Sequence, residues 1–494
     1  MSLRAKSLRG SLVLTVGEGG IYGASFVRNM ILARMLTKAD FGIAAAFAMI
    51  ITLLEFSAKL GISRFVVRDK EGDQPEFLAT AHFVQGAAAV LSTLLMVAAA
   101  WPMALLFGIR DHVGALYVLA TIPLLHGVGH LDVKRFEREL RFGPSMWVEL
   151  IPQVVITLAA WPVAKWLGDY RAVVVLLIIK AVCSCVGSHL LAEQPYRWRV
   201  HQEYVTRMLR FGWPLLVTGF LMFGVLQGDQ FLVATFYTMA DLGPYAAAAA
   251  LTMAPTFFFG RVFNSIALPV MAKVQDDPVA FARRYRLMIA GICAFSATYA
   301  AGAMVGAEAL MQVVYGKKYA GSGILLAWLG AANAFRNIRI APAIAAMARG
   351  DSINQMNSNI WRVITLVPAL VLALNQQPLW LIAGSGLAGE VLACMASFMR
   401  LRRRDGIGLW ISIKPTLYVA AATGGSLVIG QTMCKHWDLV PALAAAIAAA
   451  LLLGSLMVLV LPELRTEVIA FRAQFGNGHW RQWLPNPFAP RRSP

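Results

Sequence analysis

In the run GAANAFRNIRIAP at residues 330–342, Arg336 and Arg339 stand three apart among apolar residues, with Asn333 one turn earlier on the same helix face. An arginine at the centre of a membrane helix costs about 2.5 to 3.5 kcal/mol on insertion scales, so such a pair needs water, a partner or a ligand. Arg28, Lys180 and Arg261 sit in or near the middle of other apolar runs. A guanidinium suits anion recognition, because its planar fork makes paired hydrogen bonds and does not lose its proton. Acids are fewer: Asp229 and Glu390 lie near mid-run, and Glu18, Glu55, Glu149 and Glu308 nearer the ends. A carboxylate in a partly desolvated cavity can exchange a proton or bind Na⁺, and either event biases two access states. The expectation is a cationic cavity in which Arg28, Lys180, Arg261, Arg336, Arg339 and Asn333 hold an anion, while Asp229, Glu390 and Glu18 serve ion coupling or gating. The competing reading of the arginine pair is a helix that breaks before Ala341-Pro342 and lets both snorkel to the interface. For Arg28 and Arg261 it is a structural ion pair, and Lys59, four residues after Glu55, reads as a helix-end salt bridge.

The elements that carry these residues are membrane helices. With 58% hydrophobic and 14% charged residues, the 494-residue chain is far more apolar than a soluble globular protein, which has about 25% charged residues. A bilayer core about 30 Å thick needs about 20 apolar residues per helix. About fourteen such runs begin near residues 12, 41, 78, 114, 145, 171, 213, 244, 287, 323, 360, 379, 414 and 441. Thirty Lys and Arg fall in connections on the side of the N-terminus, residues 348–362 among them, and about eight on the opposite side. The positive-inside rule then predicts that both termini are cytoplasmic, and the net charge of +18 needs no nucleic acid to explain it.

Leu8 to Ala46 is answered by Leu209 to Ala247 at a constant offset of 201 residues. Leu8-Arg9 matches Leu209-Arg210, Thr37 matches Thr238, Ala39-Asp40 matches Ala240-Asp241, and Gly42 matches Gly243. A fixed offset across a basic start, an apolar run and an aspartate-glycine turn is the mark of an internal duplication. The first apolar run therefore reads as a retained helix and not a signal peptide, since its counterpart near Trp213 is internal. The predicted organisation is a six-helix bundle over 1–192, an interfacial linker over 193–212, a second bundle over 213–404, a transmembrane hairpin over 405–461 and a cytoplasmic tail over 462–494. The tail mixes Phe471, Phe475, Trp480 and Trp483 with arginines before a Pro-rich end, and reads as an interfacial helix followed by disorder. The register also aligns Arg28 with Asp229, which would set opposite charges across one cavity.

The segment ILARMLTKADFGIAAAF at residues 31–47 resembles the first-hairpin signature of the polysaccharide transporter (oligosaccharide flippase) family, of the superfamily that includes multidrug and toxin extrusion pumps and the lipid II flippase. The resemblance covers most of the chain and is strongest in its first 80 residues. It implies two pseudo-symmetric six-helix bundles around a central cavity in a bacterial inner membrane. It also implies a substrate, an undecaprenyl-diphosphate-linked sugar repeat moved from the cytoplasmic to the periplasmic leaflet for exopolysaccharide, capsule or O-antigen synthesis. A polymerase and a chain-length regulator of the same pathway are the protein partners it suggests.

Other patterns carry less. Gly384-x-Gly386-x-x-Gly389 follows no strand and reads as helix packing through small residues, not as a dinucleotide fingerprint. Cys183, Cys185, Cys293, Cys394 and Cys434 read as packing residues. His126 and His130 are expected to share a helix face as buried polar packing. No cofactor is expected beyond a coupling H⁺ or Na⁺. A multidrug or organic-cation exporter or a lipid II flippase is the alternative function; the exporter would want an acidic, aromatic cavity. A membrane enzyme ranks below these, because every connection on the side away from the termini is short.

Overall fold

The computed structural model describes residues 3–58, 61–139, 141–432 and 437–466, with side chains from residue 16 onward other than 54–58. The Glu55–Lys59 pair, Cys434 and the tail from Glu467 lie outside the described residues. The chain is all α-helical there. The first half holds α1 (Leu3–Met35), α2 (Lys38–Ala58), α3 (Ile62–Arg68), α4 (Pro75–Leu106), α5 (Val113–Leu119), α6 (Thr121–Val128), α7 (Asp132–Arg138), α8 (Gly143–Leu167) and α9 (Arg171–Leu190). The second holds α10 (Gln202–Phe236), α11 (Met239–Ala272), α12 (Pro278–Val305), α13 (Ala307–Tyr315), α14 (Gly323–Ile338), α15 (Ile340–Ala348), α16 (Ile353–Ile364), α17 (Leu366–Leu374) and α18 (Leu379–Asp405), followed by α19 (Leu409–Thr432) and α20 (Leu439–Val460). Helices satisfy every backbone polar group internally, which hydrocarbon demands.

Among the described residues, ten stretches are long and apolar enough to cross a membrane, residues 110–128 and 353–374 each counting as one. Helices α1, α2, α14 with α15, and α19 occupy the remaining places where the sequence puts apolar runs. The sixteen residues of α14 fall short of a span by themselves.

The expected linker is extended only as far as His201, because α10 begins at Gln202. The cause is packing: Tyr204 and Met208 are buried with Phe77 and Leu78 of α4, so the amphipathic start of α10 is held against the first half.

The duplicated turn is built twice in the same way. Thr37 Oγ1 accepts from the Asp40 amide at 3.0 Å, and Thr238 Oγ1 from the Asp241 amide at 3.2 Å, capping α2 and α11 at equivalent positions. These two helix starts then cross. A Cβ on Gly42 would lie 1.9 Å from the Met239 carbonyl oxygen, and one on Gly243 would lie 2.1 Å from that of Lys38. Lys38 and Met239 are also 201 residues apart, so the contact is reciprocal, as at an isologous interface. Around it α1 packs on α11 and, equivalently, α10 packs on α2.

Overpacking a tight contact costs about 1–3 kcal/mol, and here the obstructing atoms are backbone. Gly42→Ala and Gly243→Ala should each lower the thermal stability of the purified protein by that order. Gly23→Ala, whose Cβ would meet nothing within 4 Å, should leave it unchanged.

Candidate functional site

Helix α16 brings to the site a residue that the sequence reading placed elsewhere. Arg362 was counted among the basic residues of the 348–362 connection, but it lies within α16 and is buried. Asn354, Ser358 and Arg362 recur every four residues and form a buried polar stripe on one face of a helix whose other face is apolar. The helix is anchored just before its start. The Asp351 carboxylate takes hydrogen bonds from Arg400 Nε at 2.7 Å and Nη2 at 2.9 Å, pairs with Arg404 at 3.0 Å and accepts from the Ile353 amide at 3.1 Å. The Arg400 hydrogen bond, over the opposing effect of burial and with the help of both arginine charges, holds this carboxyl below its ordinary range.

Glu390 of α18, only 2% exposed, is the centre on which three arginines converge. Its Oε1 lies 2.7 Å from Arg336 Nε and 2.8 Å from Arg362 Nη2, and its Oε2 lies 3.5 Å from Arg339 Nε. Gly389 makes this possible. A Cβ there would lie 2.3 Å from Thr365 Oγ1 and 3.5 Å from the Arg362 Cα, so the glycine lets α16 lie against α18. Arg336 also donates to Asn333 Oδ1 at 3.2 Å, and Asn333 Nδ2 reaches Thr252 Oγ1 of α11 at 3.2 Å. Arg362 further donates to the Val225 carbonyl of α10 at 3.3 Å.

A cavity of about 50 Å³ adjoins the cluster, with Asp229, Asn333, Arg336, Arg362, Thr365 and Glu390 in its wall. That is room for a few waters. Asp229 Oδ2 accepts from the buried Tyr245 hydroxyl at 2.8 Å. Arg339 Nε and Glu390 Oε2 form an ion pair without a hydrogen bond, which leaves donor and acceptor capacity unused inside the cluster. Three guanidinium groups on one carboxylate leave positive charge in excess, and removing water from such a cluster is costly unless another anion joins it.

Arg336, Arg339, Asn333, Glu390 and Asp229 thus lie together. The remaining expected residues do not join them. Arg28, on α1, donates to Asn29 Oδ1 at 2.9 Å and Ser25 Oγ at 3.4 Å, and among the described residues makes no ion pair with Asp229. Helix α1 packs mainly on α8 and α11, whereas α10 packs on α2, α16 and α17, so register alignment did not bring the charges together. Arg261 forms an ion pair with Glu18, joining α11 to α1 away from the cavity wall. Lys180 lies on α9, which packs on α8, α6 and α5 of the first half. His126 and His130 share no helix face either, since α6 ends at Val128 and Gly129 is extended; His130 instead packs its ring 4.7 Å from that of His82.

The fold is that of solved multi-pass membrane transporters. A structure of the lipid II flippase MurJ in an inward closed conformation matches 90% of this chain and 99% of its own at a TM-score of 0.70 and 12% identity. An inward-facing multidrug resistance MATE family transporter matches 78% of this chain and 94% of its own at a TM-score of 0.63 and 14% identity. More specifically, the family model described as "Polysaccharide biosynthesis protein" matches residues 31–323, more than half of the chain, and the chain belongs to that family. It is 22% identical to the lipopolysaccharide biosynthesis protein WzxC of Escherichia coli (strain K12) over 84% of this chain and 83% of the relative. The succinoglycan biosynthesis transport protein ExoT of Rhizobium meliloti (strain 1021) is 20% identical over 62% of each. The protein is a transporter of polysaccharide biosynthesis, in a family of transporters and not of enzymes.

Removing one partner of a buried ion cluster costs about 3–5 kcal/mol, because it leaves uncompensated charge. Glu390→Gln should therefore destabilise the purified protein by that order in denaturant unfolding. Adding Arg336→Gln to Glu390→Gln should cost less than the sum of the two single changes, by about 0.5–3 kcal/mol in a double-mutant cycle.

Proposed function

We propose that this transporter flips an undecaprenyl-diphosphate-linked oligosaccharide from the cytoplasmic to the periplasmic leaflet of a bacterial inner membrane, with Arg336, Arg339 and Arg362 holding the diphosphate. The observation that carries the reading is the convergence of these three buried arginines on the single carboxylate of Glu390. A diphosphate entering hydrocarbon alone meets a prohibitive desolvation cost, so its path must supply fixed positive charge. Glu390 acts as a resident anion. It keeps the arginines compensated while the site is empty and gives them up when the diphosphate arrives. The freed carboxylate, with Asp229 in the wall of the same cavity, is then the group that takes up H⁺ or Na⁺ and couples transport to an ion gradient. Arg28, Lys180 and the Glu18–Arg261 pair fall outside this role.

The cavity of about 50 Å³ is far too small for a diphosphate and its first sugar, so binding requires a state in which the wall helices have separated. This is alternating access between two pseudo-symmetric six-helix bundles, residues 1–192 and 213–404, joined near the membrane surface and followed by the hairpin at 405–461. In this reading fourteen helices cross the membrane. With Arg362 moved inside, twenty-nine basic residues remain on the side of both termini against about eight opposite, which supports cytoplasmic termini. The partners are the lipid-linked sugar, membrane lipids, and a polymerase and chain-length regulator of the same pathway. An organic-cation exporter would need the opposite charge balance at this site.

The test is transport of a lipid-linked oligosaccharide diphosphate by protein in proteoliposomes. A charge-assisted hydrogen bond contributes about 1.5–3 kcal/mol, so Arg336→Ala should slow transport roughly 10- to 100-fold. Arg336→Lys should retain part of the rate, since it keeps the charge and loses the fork. An uncharged lipid analogue should be indifferent to both changes. Normal transport by Arg336→Ala and Arg339→Ala, singly and together at matched protein levels, would remove the clamp. In cells, a reporter fused after Arg404 should be cytoplasmic and one inserted at Lys317 periplasmic; reports from a single side would overturn the fourteen-span topology.

A further inference from the structure

A groove that the transport site does not use lies where the C-terminal end of α11, the N-terminal end of α12 and the segment after α20 meet. It has a volume of about 810 Å³ and shares no lining residue with the cavity beside Glu390. One wall is apolar, with Ile266 and Val270 of α11 exposed along it. The rim is basic: Arg283, Arg284 and Arg286 stand within four residues of one another at the start of α12, and among the described residues Glu463 is the one acid in the lining. That acid compensates little, being 4.0 Å from Arg286 with both side chains partly exposed. Among the described residues Arg284 donates only to the Val270 carbonyl, at 3.4 Å, and Arg283 pairs with no carboxylate. A lone apolar groove against a bilayer would collect any acyl chain. A basic rim at the helix ends, where headgroups lie, selects for anionic ones.

We propose that this groove binds an anionic phospholipid, its phosphate held by Arg283, Arg284 and Arg286 and its upper acyl chains lying on Ile266 and Val270. The volume falls within the range of small-molecule sites, and fits a headgroup with the first carbons of its chains. Charge argues against the chain's own tail as occupant. Residues 467–494 carry Arg472, Arg481, Arg491 and Arg492 against Glu467 alone, so the tail is repelled by the rim.

The experiment measures lipid binding and thermal stability of the purified full-length protein, titrated with phosphatidylglycerol or with phosphatidylcholine of the same acyl chains. Phosphatidylglycerol should remain bound in native mass spectrometry and raise the melting temperature, and phosphatidylcholine should do neither. Each arginine removed should weaken the apparent phosphatidylglycerol affinity about fivefold. The comparison begins with Arg283→Gln, an exposed position that leaves folding untouched, and extends to the triple Arg283→Gln, Arg284→Gln, Arg286→Gln variant. Arg336→Gln should leave the phosphatidylglycerol response intact, which separates this site from the proposed diphosphate clamp, and so should a chain ending at Thr466. Equal responses to the two lipids, an unchanged affinity in Arg283→Gln, or loss of the response on removing the tail would each overturn the proposal.

Discussion

A charge inside hydrocarbon must be met by another, and the second half of this molecule is arranged around that requirement at Glu390. The carboxylate is 2% exposed and holds guanidinium groups from α14 and α16 within 2.8 Å. Each contributing helix has a local reason for its position. Helix α16 is anchored by Asp351 to Arg400 and Arg404 of α18, and Gly389 removes the side chain that would keep the two helices apart. Asn333 ties α14 to Thr252 of α11. Buried ion clusters contribute little net stability compared with apolar packing of the same volume. A cluster retained at that cost, with unused hydrogen-bonding capacity and a small polar cavity beside it, is better explained by binding than by stability.

The scaffold beneath it comes from the duplication. Two threonine-aspartate caps start α2 and α11 at equivalent points, and two equivalent glycines let those starts cross at backbone distance. This crossing determines which helices can meet in the interior: α1 lies on α11 and α10 on α2. Asp229 of α10 therefore faces the cavity of the second half, whereas its sequence counterpart Arg28 stays on α1 with Asn29 and Ser25. Equivalent sequence positions gave equivalent backbones but unlike surroundings.

Much of this was legible in the residues. Apolar run lengths place most helix starts within a few residues, and the mid-run charges Arg336, Arg339, Asp229 and Glu390 do gather. What escaped was Arg362. INQMNSNIWRVI is polar on average, so hydropathy puts the membrane boundary near residue 360 and leaves the arginine in a connection. The informative signal was angular: Asn354, Ser358 and Arg362 form a stripe of period four, which a helix can turn inward while its apolar residues face lipid. Lys180 and Arg261 show the converse. A central charge in an apolar run says that the residue must be satisfied, but not where, and Arg261 of α11 is met by Glu18 of α1, neither of which lines the cavity beside Glu390.

The ties between α1 and the second half differ at their two levels, and the difference bears on how the proposed cycle would open. Near the C-terminal end of α1, Arg34 donates to the carbonyls of Val313 and Val314, and Lys318 donates to those of Arg34 and Leu36, beside the Gly42–Gly243 crossing. These contacts end on rigid backbone from both halves. Sixteen residues away, about 24 Å along the helix, the ties among the described residues are the Glu18–Arg261 ion pair, Tyr22 stacked on Phe257, and Phe258 packed over Gly19. The arginine there is 62% exposed, so this tie joins two side chains at the molecular surface and not rigid backbone. Among the described residues, separating the helices at the Glu18 level breaks one side-chain ion pair and two aromatic contacts. At the Arg34 level it requires breaking a reciprocal backbone crossing together with four carbonyl contacts. In the proposed cycle the level of Glu18 and Arg261, tied through side chains, would part more readily than the level of Arg34, and the Gly42–Gly243 crossing would serve as the pivot.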